Sequence, residues 1–180
     1  MFGSNHFNFL CFETSRTPTN PVYFLRFPLF HRQTLLRKIA TRDYLRDQAL
    51  YAAVMSMCAL ASARARDGAL FPGRWIPSYF RQPSPESFYA AARDALPRGL
   101  NEMRGLDWMR TCALLALVGI QVGNIDNMHQ YLGLYHNLVA MDSLHDEKNW
   151  PKEIGLVEIE ERRRLVRIIK QSCQTKLMLP

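Results

Sequence analysis

The chain has 180 residues, 48% of them hydrophobic and 22% charged. That composition suits one folded domain, or part of a larger one, and excludes a chain disordered throughout. The net charge is +7, but it is spread as +5 over residues 1–46, +2 over 47–110, −3 over 111–157 and +3 over 158–180, with no basic run longer than three, so the focused stripe that direct DNA binding needs is missing.

Residues 1–26 read as an irregular segment, because Pro18, Pro21 and a Thr/Asn cluster break any period. The opening "MFGSNHFNFLCF" has no basic n-region and no small-residue cleavage site, so it is not read as a secretory signal. From residue 27 the pattern turns helical, and 27–170 is expected to form one helical domain followed by a tail at 171–180. "FPLFHRQTLLRKIA" sets Leu29, Phe30, Leu36 and Ile39 on one side, away from Arg32, Arg37 and Lys38. Residues 46–66 predict a second helix, apolar on nearly every face and therefore central. Each Leu or Met it buries is worth about 1.5–3 kcal/mol. Its uncharged run at 49–63 has 15 residues, too short to span a bilayer. Residues 67–83 are a Pro-, Gly- and aromatic-rich loop in which Trp75, Tyr79 and Phe80 favour packing.

Ser84 or Ser87 can cap the next helix, with Pro85 in its first turn, and Pro97 should kink or end it. An apolar helix follows from Asp107 and stops at Gly123-Asn124. The short joint "GNID" predicts that it pairs antiparallel with the helix after it. A last helix is expected to begin near Pro151 and to carry Arg162, Arg163 and Arg164. The fold class is all-α, with about six helices in an antiparallel bundle or a solenoid-like stack, no convincing strand and no repeat of fixed period.

The arginine run is the most conspicuous candidate site. Glu158 and Arg162, and Glu160 and Arg164, are spaced i,i+4 with the acid first, an orientation worth about 0.2–0.5 kcal/mol per pair. This largely neutralises the run and favours a solvated or partly packed face over a buried arginine network or a phosphate contact. His129 and His136 could share a helix face with Asp126, and Cys112 lies on the neighbouring helix, but a zinc site wants three or four converging ligands. Ordinary packing explains the histidines better. The four cysteines, at 11, 58, 112 and 173, form no CxxC pair and read as small thiols in a reducing compartment. No GxSxG and no phosphate-cradling glycine loop occurs, and no carboxylate sits in an apolar run. The chain is therefore not expected to be an enzyme.

Four stretches, in order, carry a family likeness. They are "FPLFHRQTLL", "ALYAAVMSMCALASA", "SFYAAARDAL", and the set "TCALLALVGIQVGN", "YLGLYHNLVAMDSLH", "EIEERRRL". Over about residues 27–165 the order resembles the fungal-specific transcription factor domain, the helical regulatory region downstream of the binuclear zinc cluster in fungal transcription factors. The resemblance implies a nuclear protein that regulates RNA polymerase II transcription, with Glu158, Glu160, Arg162, Arg163, Arg164 and Leu165 as a structural signature of the core.

Two departures qualify the likeness. Gln33 stands where the family more usually has Pro, and "VRIIKQSCQTKLMLP" replaces the aromatic pair and apolar helix that usually follow Arg-Arg-Leu, which points to a truncated form. The six-cysteine zinc cluster is absent, so the chain itself is expected to hold no cofactor. Zinc, and contact with DNA, would belong to that missing module. Partners implied are proteins of the transcription machinery, self-association or a small-molecule effector, with no membrane. The effector-facing core would lie between helix 46–66 and the hairpin at 107–142, near Met55, Met57 and Tyr131, since methionine-lined interfaces adapt to ligands. The alternatives are a helical protein-interaction scaffold and a non-functional truncated gene product.

Overall fold

The computed structural model describes residues 29–67 and 84–176. The irregular segment expected at 1–26 and nearly all of the loop expected at 67–83 lie outside the described residues. Among those described, the chain forms six α-helices and three short 3-10 turns, with no strand. The all-α expectation is met.

Leu29 and Phe30 are buried just ahead of α1 (Arg32–Ala40). Because the helix begins only at Arg32, its inward pair is Leu35 and Ile39, one turn apart. The sequence reading placed Leu36 inward by running the helical period back to residue 27, and Leu36 is only half-buried. Tyr44 is buried from a 3-10 turn at Asp43–Leu45. Asp47 then caps α2 (Gln48–Arg66), accepting the Leu50 N–H at 3.1 Å. Helix α2 is buried on several faces, through Leu50, Ala53, Val54, Cys58 and Ala63 among others. Small residues there let neighbouring helices approach closely.

Helix α3 (Pro85–Asp94) starts as expected, with Ser84 capping the Ser87 N–H at 3.3 Å and Pro85 in the first turn. It stops at Asp94, short of Pro97. The side chain of Gln48 donates to the Ala95 carbonyl at 2.8 Å, which fixes the end of α3 to the start of α2.

Helix α4 (Leu106–Gln121) is the axis of the molecule. It packs along α2 and along α5 (Ile125–Met141), and it also touches α3 and α6 (Leu156–Lys176). The arrangement is a bundle centred on α4. The α4–α5 hairpin turns at Gly123, whose φ of 73° suits glycine. Asn124 then caps α5 by accepting the Asn127 N–H at 3.0 Å. The last helix begins at Leu156 rather than near Pro151. Trp150 is extended ahead of the proline, as residues before proline tend to be, and Gly155 supplies the carbonyl that accepts the Ile159 N–H at 3.1 Å. Helix α6 continues to Lys176, so it runs through most of the stretch read as a tail at 171–180.

Candidate functional site

The arginine run folds back onto its own chain. Arg162 donates to Glu158 at 2.7 and 3.0 Å, and its guanidinium lies 5.8 Å from the centre of the Trp150 ring. Arg164 donates to Glu160 at 3.2 Å. Both i,i+4 pairs read from the sequence are formed. Arg163 makes a two-pronged contact with Glu147 at 2.8 and 2.9 Å. The hydrogen bond from Arg163 holds the Glu147 carboxyl below its ordinary value. Glu147 lies on the preceding turn, a partner that helical spacing cannot reveal. Leu165 is fully buried, and its carbonyl accepts a hydrogen bond from the hydroxyl of Tyr135. The signature residues thus divide between anchoring the helix and pairing with acids.

A buried arginine network does exist, but it is built on Arg110 of α4. That side chain is 6% exposed. Its Nε donates to the Leu29 carbonyl at 2.8 Å, Nη1 bonds Asp107, and Nη2 lies 2.9 Å from Glu161 of α6 as an ion pair without hydrogen-bond alignment. The guanidinium covers the Phe30 ring at 4.7 Å. The other Glu161 oxygen accepts the His31 N–H at 2.6 Å, and Asp107 is 3.8 Å from Lys38. Three segments distant in sequence meet here. The signal for it was present in "DWMRTCALLALVG", where one charge interrupts an apolar helix, but the sequence reading weighed only carboxylates in that context.

Two cavities among the described residues are of a size to take a small molecule. One, of about 390 Å³, is lined by Trp150, Glu147, Arg163, Val166 and Arg167 among others. Its Glu147–Arg163 pair is already mutually satisfied. The larger, about 510 Å³, lies between α3 and α5 under residues 95–103. Tyr89 and Arg93 come from α3, Leu96, Arg98, Leu100 and Met103 from the connection, and Asn127, Gln130, Tyr131 and Leu134 from α5. Tyr131 is 3% exposed, and its ring meets that of Tyr89 edge-on with centroids 6.2 Å apart. Burial pushes the Tyr131 phenol above its ordinary value, so it is a neutral donor at physiological pH.

Of the three residues named as an effector-facing core, Tyr131 alone lines a cavity, and on the α3 side of the bundle. Met55 is buried in the core and Met57 is half-buried, and neither lines either cavity. Two residues apart on one helix, Met55 and Met57 point in different directions.

His129 is exposed and His136 half-buried. Among the described residues no group of His, Cys, Asp or Glu converges as metal ligands would. Cys58 and Cys112 are buried free thiols. Among the described residues no helix is long and apolar enough to cross a membrane. The chain matches no protein-family model, no curated protein and no solved structure.

Proposed function

We propose that this chain is the helical regulatory region of a fungal-type zinc-cluster transcription factor. It acts in the nucleus on RNA polymerase II transcription, through contacts with proteins. Reading of DNA belongs to a zinc-cluster module that these 180 residues do not contain. The observation that supports this is the ordered set of stretches ending in "EIEERRRL", together with the way that run is used. Its arginines pair with Glu158, Glu147 and Glu160, and its leucine is core. Such a run is suited to holding a domain together and poorly suited to holding phosphates.

The test joins the chain to an unrelated DNA-binding domain above a reporter promoter in a fungal host, and measures binding of the purified chain to duplex DNA across a salt series. A change in reporter output without salt-dependent DNA binding is the expected result. Tight binding that falls steeply with salt would overturn the reading.

One observation favours the scaffold alternative. At the α4–α5 joint Ile125 is 65% exposed, and Ile120 and Val122 are exposed beside it. Clusters of this kind serve protein contacts. A silent reporter combined with self-association abolished by Ile125→Asp would favour the scaffold.

A further inference from the structure

The cavity between α3 and α5 combines an apolar wall with a cationic one. Leu96, Leu100, Met103 and Leu134 supply the first, Arg93 and Arg98 the second, and no carboxylate side chain lines it. The charge of Arg93 is already shared with Asp94, whose Oδ1 takes Nε at 3.0 Å and Nη2 at 2.9 Å. Arg98 takes part in no ion pair among the described residues. One positive charge is therefore left uncompensated. That balance suits a monoanion, because a cation would meet two guanidinium groups and a phosphate dianion would need a second free cation.

The phenols add direction. The Tyr89 and Tyr131 hydroxyls lie 3.4 Å apart, so one proton serves the contact between them and the other is left for a guest acceptor. Edge-on packing of the two rings fixes the Tyr131 hydroxyl before any guest arrives. A volume of about 510 Å³ is within the range of small-molecule sites.

We propose that this cavity binds a small amphipathic carboxylate, its apolar body against Leu96, Leu100, Met103 and Leu134 and its carboxylate taken by Arg98 and the Tyr131 hydroxyl. Arginine suits this role because its fork matches a carboxylate in two parallel hydrogen bonds. The inference stands on the cavity and is independent of the transcriptional reading, since binding is measured on the purified chain and needs no reporter.

Three probes of similar length separate the charge states: 4-phenylbutyrate, 4-phenylbutyramide and 4-phenylbutylamine. Binding is followed by calorimetry and by NMR shifts of the Met103 and Leu134 methyl groups. The acid should bind saturably and move both methyls, the amide should bind more weakly by about tenfold, as expected for loss of a charge-assisted contact, and the amine should not bind. Arg98→Gln should weaken the acid by about tenfold and Tyr131→Phe by about threefold. Arg98 is exposed and phenylalanine keeps the Tyr131 ring contact, so both variants should retain the helical circular dichroism of the parent. Failure of the acid to bind at millimolar concentration, equal binding of all three probes, or unchanged affinity in folded Arg98→Gln would each overturn the proposal.

Discussion

Arg110 shows what a single charge does inside an apolar helix. Desolvating a guanidinium costs several kcal/mol, and only close, well-placed partners offset that cost. Here Asp107, Glu161 and the Leu29 carbonyl offset it, while Phe30 covers the flat face. Arg110→Ala should therefore lower the unfolding free energy by about 3 kcal/mol, since it leaves two half-buried carboxylates without their cation. Urea unfolding measures this, and a loss under about 1 kcal/mol, typical of an exposed pair, would show that water reaches the network.

Cys112 makes a second prediction at the same scale. Burial pushes its thiol from an ordinary value of 9.0 up to about 12. Above pH 9 the unfolded chain releases this proton and the folded chain keeps it, so stability is full below about pH 9 and falls as pH rises towards 12. Tyr131 and Tyr135 add to the fall, because burial raises both phenols above their ordinary value of 10.0. Unfolding curves from pH 8 upward should show the decline, and Cys112→Ala should make it shallower.

At the scale of elements, α4 carries the fold. Leu115 is fully buried at its centre, and Leu115→Arg should collapse the domain because it buries a charge that has no partner. Loss of the helical signal and of a cooperative melt is the expected result. Gly119 sets how closely α5 can approach. A Cβ there would come 2.8 Å from the Met128 backbone nitrogen and 3.0 Å from the Asn124 carbonyl oxygen. Gly119→Ala gains about 1 kcal/mol of helix propensity but forces backbone apart at about 1–3 kcal/mol, and near the helix end the propensity gain shrinks. The variant should melt lower, by about 2–4 °C for each kcal/mol lost. A higher melting temperature would show that the hairpin relaxes freely.

These elements differ in how readable they were. Helices α2 and α4 declared themselves as long apolar runs and α5 by burial that repeats every three to four residues, while Ser84 started one element and Gly123 ended another by local chemistry alone. The inward face of α1 was misread because its phase depends on where the helix starts, which tertiary contacts fix. Glu147 as the partner of Arg163, and the cavity between α3 and α5, were illegible because each joins residues from separate elements. Tyr131 was picked out, but as a neighbour of Met55 and Met57, whereas packing gave it Tyr89.

At the scale of the whole molecule, positive charge is dispersed along the sequence, and several of the described arginines are paired. Arg66 with Glu86, Arg104 with Asp142 and Arg163 with Glu147 are local neutral units. Arg163→Ala should therefore leave nonspecific DNA affinity and its salt slope unchanged, and weaker binding with a shallower slope would show that this arginine does meet phosphates. Stability should fall by no more than about 1 kcal/mol, the usual worth of an exposed pair.

The Arg110 network also has a consequence in time. Its cation is made by the ribosome well before its second carboxylate, since Glu161 follows only after the whole of α5 and the turn beyond it. At about 5–20 residues per second, synthesis of residues 111–161 takes about 3–10 s. Through that interval Asp107 is the one carboxylate of the network already made, and the His31 N–H waits for its acceptor. The first helix and the start of α6 therefore settle together only once Glu161 has been made, and a growing chain halted before α6 should remain open to proteolysis at both α1 and the start of α4.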